Sequence, residues 1–249
     1  MGRFTVAGDH TRSAQKPLVF FHVMKCGGTS VRAGLAAGAA GRRRGPNVFE
    51  LDGAAAKAAA GGGHADEWQF RDALLPYALT AMHPSVVLGH FRYRDRYADL
   101  ADDALFVTVL RDPVERMVSL YKWRRYKDGI AAPLSRSFDQ LVSSGRWSKQ
   151  GQAYVDTFCG RDDLHARSEE AAAAAVANLR RFAVVGFIEH LDDFSDQVSS
   201  CLGREVTIPV LNRSPAPPDA EIDAGIRERA KILCAPDYRV YDQLLAARA

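Results

Sequence analysis

The stretch from Pro17 to Arg32 limits the possible folds of this chain more than any other. Leu18 to Val23 is apolar or aromatic except at His22, and it runs into Lys25, Cys26, Gly27, Gly28, Thr29 and Ser30 before a helical pattern begins. A short, nearly continuous apolar run suits a parallel strand covered on both faces. The glycines allow the backbone to approach an anion closely, and the first amides of a helix lack intrahelical partners. Lys25, Thr29 and Ser30 add a positive charge and two hydroxyls. The expected element is therefore a strand, loop and helix that cradle an anion.

Residue order narrows the type of cradle. In a Walker A loop the lysine follows the glycines, whereas Lys25 precedes Gly27 and Gly28, so an ordinary ATPase loop is disfavoured. Further along, Ser85 to His90 reads as a strand ending in Gly89 and His90, and Leu105 to Leu110 as a strand leading into Arg111, Asp112 and Pro113. Pro113 suits the first turn of a helix. In that helix Val114, Met117, Val118 and Tyr121 share the core-facing stripe, and Ser119 lies off it. Ala183 to Ile188 is another strand. Helices are expected from Thr29 to the Gly/Arg cluster at Gly41 to Gly45, and over Gly53 to Gly63 as a weak, Ala- and Gly-rich element. Others are expected over Glu67 to Thr80 despite Pro76, Phe138 to Ser144, Glu169 to Arg181, Leu191 to Leu202, Glu221 to Cys234, and after Pro236.

Strands alternating with helices predict an α/β fold of P-loop-like, three-layer type, with a mainly parallel central sheet and helices on both faces. Ligands of such sheets gather beyond the strands' carboxyl ends, where His22 to Ser30, Gly89-His90 and Arg111-Asp112 all fall. With 249 residues the chain is read as one domain, residues 1–249, with 1–16 a flexible leading segment. The net charge of +3 leaves anion binding to local clusters and does not call for nucleic acid. Cys26, Cys159, Cys201 and Cys234 form no Cys-x-x-Cys pair, and no metal-ligand spacing stands out. Met1 to Lys16 lacks an apolar core, and no membrane-length apolar span follows, so a soluble, cytoplasmic protein is expected.

The string His22-Val23-Met24-Lys25-Cys26-Gly27-Gly28-Thr29-Ser30 resembles the 5′-phosphosulfate loop of sulfotransferases, particularly the heparan-sulfate 2-O-sulfotransferase-like family, usually His-Val-Pro-Lys-Thr-x-x-Thr-Ser. Met24 and Cys26 depart from that pattern. Leu105 to Tyr121 is similar to the family's 3′-phosphate motif, an apolar strand, Arg-Asp-Pro and a helix bearing a serine. The resemblance implies a sulfotransferase that uses 3′-phosphoadenosine 5′-phosphosulfate (PAPS), with adenosine 3′,5′-bisphosphate (PAP) as product, and needs no metal. It assigns the donor's 5′ side to Lys25, Cys26, Gly27, Gly28, Thr29 and Ser30, and its 3′-phosphate to Arg111 and Ser119. It makes His90 the general base, with Lys25 neutralising the leaving oxygen.

A late region, Ala183 to Phe194 with Leu211 to Ser214, is similar to the family's C-terminal pattern and implies donor contacts at Arg213 and Ser214. A Pro-rich turn at Ser214 to Pro218 accounts for those two residues nearly as well. His22 is the rival base, read first as a packing residue that holds Lys25. His83 and His190 are read as structural. Arg116 is expected to brace the loop through a salt bridge, and Cys26 to be a small filler or else a reactive thiol. Arg92, Arg94 and Arg96 are read first as solvated, with Phe91, Tyr93 and Tyr97 packed inward, and the alternative left open is that one arginine meets an anionic acceptor. The Lys122 to Lys127 run is read as a solvated helix face. The acceptor is expected to be a hydroxyl on a carbohydrate, phenol or other small molecule; oligomeric state is not readable. Two other functions stay open: a P-loop phosphotransferase or kinase using Asp112 as a magnesium partner, and a non-catalytic nucleotide-binding module.

Overall fold

The computed structural model describes residues 16–39, 48–61, 63–126, 134–211 and 222–248. The leading segment 1–15, the Gly41 to Gly45 cluster, Lys127, and Arg213 and Ser214 lie outside the described residues. Five strands, β1 (Leu18–Phe21), β2 (Val48–Glu50), β3 (Val86–Gly89), β4 (Leu105–Leu110) and β5 (Val184–Phe187), form one sheet in the order β2-β3-β1-β4-β5. Every pairing is parallel. The described helices are α1 (Gly28–Ala39), α2 (Gly53–Ala59), α3 (His64–Tyr77), α4 (Leu100–Asp103), α5 (Pro113–Tyr126), α6 (Phe138–Ser143), α7 (Ala153–Phe158), α8 (Glu169–Leu179), α9 (Leu191–Leu202), α10 (Ala224–Leu233) and α11 (Ala235–Ala246).

Strand alternation divides the core into two layers. Val19, Phe21, Val87 and Phe106 point to the face covered by α7, α8 and α11. Leu18, Phe20, Val86, Leu88, Val107 and Val109 point to the other, against α1 and α9. Because both faces are covered, the strands carry almost no polar residues, as the sequence pattern predicts. A third cluster, with Tyr121, Phe138 and Trp147 at its centre, joins α5, α6 and α10. Side-chain caps fix several helix starts: Asp52 for α2, Ser137 with Gln140 for α6, Ser168 for α8 and Asp223 for α10.

Elements that escape the sequence pattern are short. β2 has three residues at the sheet edge and ends on Glu50, which forms an ion pair with Arg32. α7 contains Tyr154, Val155 and Thr157, residues that favour strands, and is held helical by its packing against α8 and α11. α3 does continue through Pro76 and then widens into a π-turn at Ala78–Met82, where the Thr80 hydroxyl donates to the Pro76 carbonyl at 2.9 Å. Among the described residues no helix is long and apolar enough to cross a membrane.

β1 occupies the middle of the sheet, with β3 and β2 on one side and β4 and β5 on the other. The connections diverge between β1 and β4, so a crevice opens at their carboxyl ends. Phe21, the last residue of β1, packs edge-on or tilted against Phe106 and Phe182, each at 5.1 Å between ring centroids, and against Phe91 at 6.2 Å. Replacing Phe21 with Ala removes the ring at the centre of this cluster and is expected to cost about 3–5 kcal/mol. Equilibrium denaturant unfolding measures this as a lower midpoint at unchanged slope.

Candidate active site

After Phe21 the chain turns sharply, with Lys25 at φ 72° and Gly27 at φ 74°. A lysine in the left-handed region is uncommon and is held there by its surroundings. The turn leaves the amides of Gly27, Gly28, Thr29 and Ser30 donating to no group among the described residues, and the first bond back into the helix runs from the Val31 amide to the Gly27 carbonyl at 3.1 Å. These amides form the start of α1. They and Lys25, whose Nζ sits 5.6 Å from the centre of the Trp123 ring, make up the cradle.

Cys26 departs from its expected contact with the anion. Its amide donates to the Val23 carbonyl at 3.3 Å, and its buried thiol lies 3.7 Å from the Tyr154 hydroxyl beneath the loop. Burial pushes the thiol up to about 11, so it is a filler and not a reactive group.

Gly28 is glycine for a reason that the motif does not reveal. A Cβ built there would fall inside the His22 imidazole. His22 lies near enough to Lys25 for the ammonium to add to what disfavours its charged form. It lies over the start of α1, with its ring stacked on His90 at 4.2 Å between centroids and an interplanar angle of 24°.

β1 and β3 end side by side, Phe21 opposite Gly89, which brings His90 next to His22. His90 Nδ1 is 2.7 Å from the His22 carbonyl oxygen. A carbonyl can only accept, so Nδ1 carries the hydrogen and Nε2 presents a lone pair when the ring is neutral. Burial is the largest influence on His90 and lowers its pKa from 6.5, against a smaller upward pull from this bond. Burial also drives His22 well below 6.5, with the neighbouring His90 adding to the effect. Arg71, buried on α3, donates to the His90 carbonyl at 3.2 Å and is paired with Glu67. His83 and His190 are exposed and away from this pair.

Arg111 leaves the end of β4 with about a quarter of its side chain exposed. Its nearest carboxylate, Glu115, stands 4.0 Å away and pairs more closely with Arg227. Ser119 is half-buried on α5, two turns on. The Arg111 backbone is clamped by Tyr154: its amide donates to the phenol oxygen at 3.0 Å, and the phenol donates back to the Arg111 carbonyl. With that proton committed, the Cys26 thiol is the donor toward Tyr154. The Tyr154 amide in turn donates to Asp237 Oδ1 at 2.8 Å. Asp237 and Arg116 are both buried, 3.8 Å apart, and Arg116 also donates to the Gln150 carbonyl. Arg116 thus braces the site from inside. Burial raises Asp237 to about 7 in spite of the guanidinium.

Tyr154, Asp237 and Arg71 went unread in the sequence because nothing local marks them. Tyr154 is 128 residues from Cys26 and 43 from Arg111.

Both Asp112 carboxylate oxygens are engaged within the protein. One oxygen accepts from the Glu115 amide at 2.9 Å as a helix cap, and the other accepts from the Tyr238 hydroxyl at 2.8 Å. The late segment reaches the cradle through the Leu211 amide, which donates to Ser30 Oγ at 3.2 Å. The chain beyond it, with Arg213 and Ser214, is not described.

Phe91, Tyr93 and Tyr97 are buried, as their spacing predicts. Arg94 pairs with Asp72 and Asp162, and Arg96 donates to the Asp72 carbonyl. Arg92 instead lies 4.1 Å over the Trp68 ring, at a cavity of about 340 Å³ that Lys149, Gln152 and Asp156 also line.

Comparison with known proteins agrees with the motif reading. Heparan sulfate 2-O-sulfotransferase 1 from Mus musculus, Gallus gallus and Homo sapiens is 28% identical to this chain over 137 residues, 49% of this chain and 38% of each relative. The chain resembles the heparan sulfate 2-O-sulfotransferases. It spans well under half the length of those curated relatives. A solved sulfotransferase from Alicyclobacillus acidocaldarius aligns with 92% of this chain and 95% of its own at 18% identity, with a TM-score of 0.48. No family model matches.

Because Tyr154 satisfies both polar groups of the Arg111 backbone in a buried setting, Tyr154→Phe is expected to destabilise the protein by about 1–3 kcal/mol. Thermal and denaturant unfolding check this, and an unchanged midpoint would mean that the clamp contributes nothing.

Proposed function

We propose that this chain is a sulfotransferase that transfers the sulfuryl group of PAPS to a hydroxyl acceptor, with His90 as general base. The observation that carries this reading is the fixed tautomer of His90, next in the fold to the strand end that opens into the cradle: its Nδ1 hydrogen is held by the His22 carbonyl, which leaves Nε2 as the nitrogen that can accept a proton. The similarity to heparan sulfate 2-O-sulfotransferases supports the reaction class, and a sugar hydroxyl is the favoured acceptor.

The residues present fit the donor. The amides of Gly27 to Ser30, with the Thr29 and Ser30 hydroxyls, would hold the 5′-phosphate, and Arg111 and Ser119 the 3′-phosphate. Arg111 suits this task because its planar fork makes paired charge-assisted bonds and its own carboxylate partner is distant. The donor supplies an activated sulfate on a phosphate leaving group. The acceptor oxygen forms a bond to sulfur as the bond from sulfur to the bridging phosphate oxygen breaks. His90 Nε2 takes the hydroxyl proton, and Lys25 offsets the negative charge that grows on the departing oxygen. The products are a sulfate ester and PAP.

Transfer of labelled sulfate from PAPS across a panel of sugars, phenols and tyrosine peptides tests the reaction. His90→Ala is expected to lower transfer by about 10²–10⁴-fold while PAP still binds. Undiminished turnover by that variant would remove His90 as base. Arg111→Ala is expected to weaken PAP binding by about tenfold or more, measured by calorimetry.

The pH dependence follows from the direction of the His90 shift. A base whose pKa is lowered stays deprotonated to more acidic pH, so kcat/KM should fall with acid along a limb whose midpoint lies below the ordinary imidazole value of 6.5. An acid limb centred above 6.5 would contradict this environment for His90.

A further inference from the structure

The geometry points to a positioning role for the His22 side chain: its ring is a flat wedge against Gly28 and His90 that keeps the His90 imidazole in the orientation in which Nδ1 meets the His22 carbonyl. This inference rests on the proposed role of His90 and adds a residue to it.

Three contacts enclose the His22 ring. It stacks on His90 at 4.2 Å and 24°, and more loosely on Phe20 at 5.5 Å and 15°. Its Nε2 edge meets Gly28, where no side chain fits. The hydrogen bond from His90 Nδ1 to the His22 carbonyl sets the tautomer but acts at one atom of the ring. A single hydrogen bond leaves rotation about that axis open, and a parallel ring at stacking distance removes it.

The nitrogens of His22 are not what the site uses. Nδ1 is buried with no hydrogen-bond partner. A proton relay would need a donor or acceptor at that atom, and none of the described residues supplies one. The ring is also a poor proton acceptor, since burial and the adjacent His90 both disfavour its charged form. What remains is shape, and shape explains why position 28 has to be glycine. The wedge also ties the base to the cradle, because the surface that supports His90 rests on the first residue of α1.

Three variants and two readouts test the wedge. His22→Ala removes the ring and is expected to lower kcat for sulfate transfer by about tenfold or more, with KM for PAPS changed less than threefold. His22→Phe restores a flat ring without nitrogens and is expected to recover most of that loss. Should His22→Ala fail to fold, His22→Asn, which also lacks the ring, carries the same expectation. The second readout does not depend on turnover: imidazole nitrogen NMR of the ¹⁵N-histidine-labelled protein at pH 7. His90, which keeps its bond to the residue-22 carbonyl in every variant, is expected as an Nδ1–H tautomer with sharp ring-nitrogen signals in the parent and in His22→Phe, and with exchange-broadened signals in His22→Ala, where its ring turns about that bond.

His22→Phe as impaired as His22→Ala in both readouts would overturn the wedge and return the nitrogens to the mechanism. His22→Ala with parental kcat and His90 signals as sharp as the parent's would overturn it as well. If the NMR contrast holds while the parent protein transfers no sulfate, the wedge stands and the proposed reaction fails.

Discussion

The hydrogen bond from His90 Nδ1 to the carbonyl of His22 joins the ends of two adjacent parallel strands, and the proposed chemistry depends on it. A parallel pair in register brings its carboxyl ends to the same level, so the first residue beyond each strand meets its neighbour. Here those residues are both histidines. One offers its backbone to the other's ring, and the ring so held has one nitrogen occupied and one available. The assignment of the lone pair to Nε2 follows from the inability of a carbonyl to donate.

A second set of contacts lies beneath the cradle and gives it a rigid floor. Tyr154 meets the Cys26 thiol and both polar groups of the Arg111 backbone, and its own amide is bound by Asp237. The loops after β1 and β4, which the proposal makes the two halves of a nucleotide site, are thus fastened to a single phenol. Asp237 and Arg116 lie deeper. A buried pair of this kind adds little net stability, but losing either partner strands a charge. Its effect at the site is indirect, through the position of α7 relative to α5.

Much of this was legible in the sequence, for a physical reason. Leu18 to Phe21, Leu105 to Leu110 and Val184 to Phe187 are covered on both faces, so burial leaves an unbroken apolar run that can be read without a partner. The glycines and Lys25 mark the loop, and Pro113 marks the start of α5. What could not be read is what depends on distant residues. β2 is too short to carry a pattern, and α7 has strand-like composition. Tyr154 and Asp237 act across separations of 43 to 128 residues. Gly28 was legible as a glycine of an anion loop, yet its neighbour is the His22 ring, and only the fold reveals that contact.

The central claim is that these strand ends form one nucleotide site. A crystal structure of the protein soaked with adenosine 3′,5′-bisphosphate tests it most directly. The account predicts the 5′-phosphate against the amides of Gly27 to Ser30, the 3′-phosphate against Arg111 and Ser119, and His90 Nε2 facing the open side of the 5′-phosphate. Density for the nucleotide elsewhere, or a bound nucleotide that leaves Lys25 and Arg111 without contacts, would contradict it.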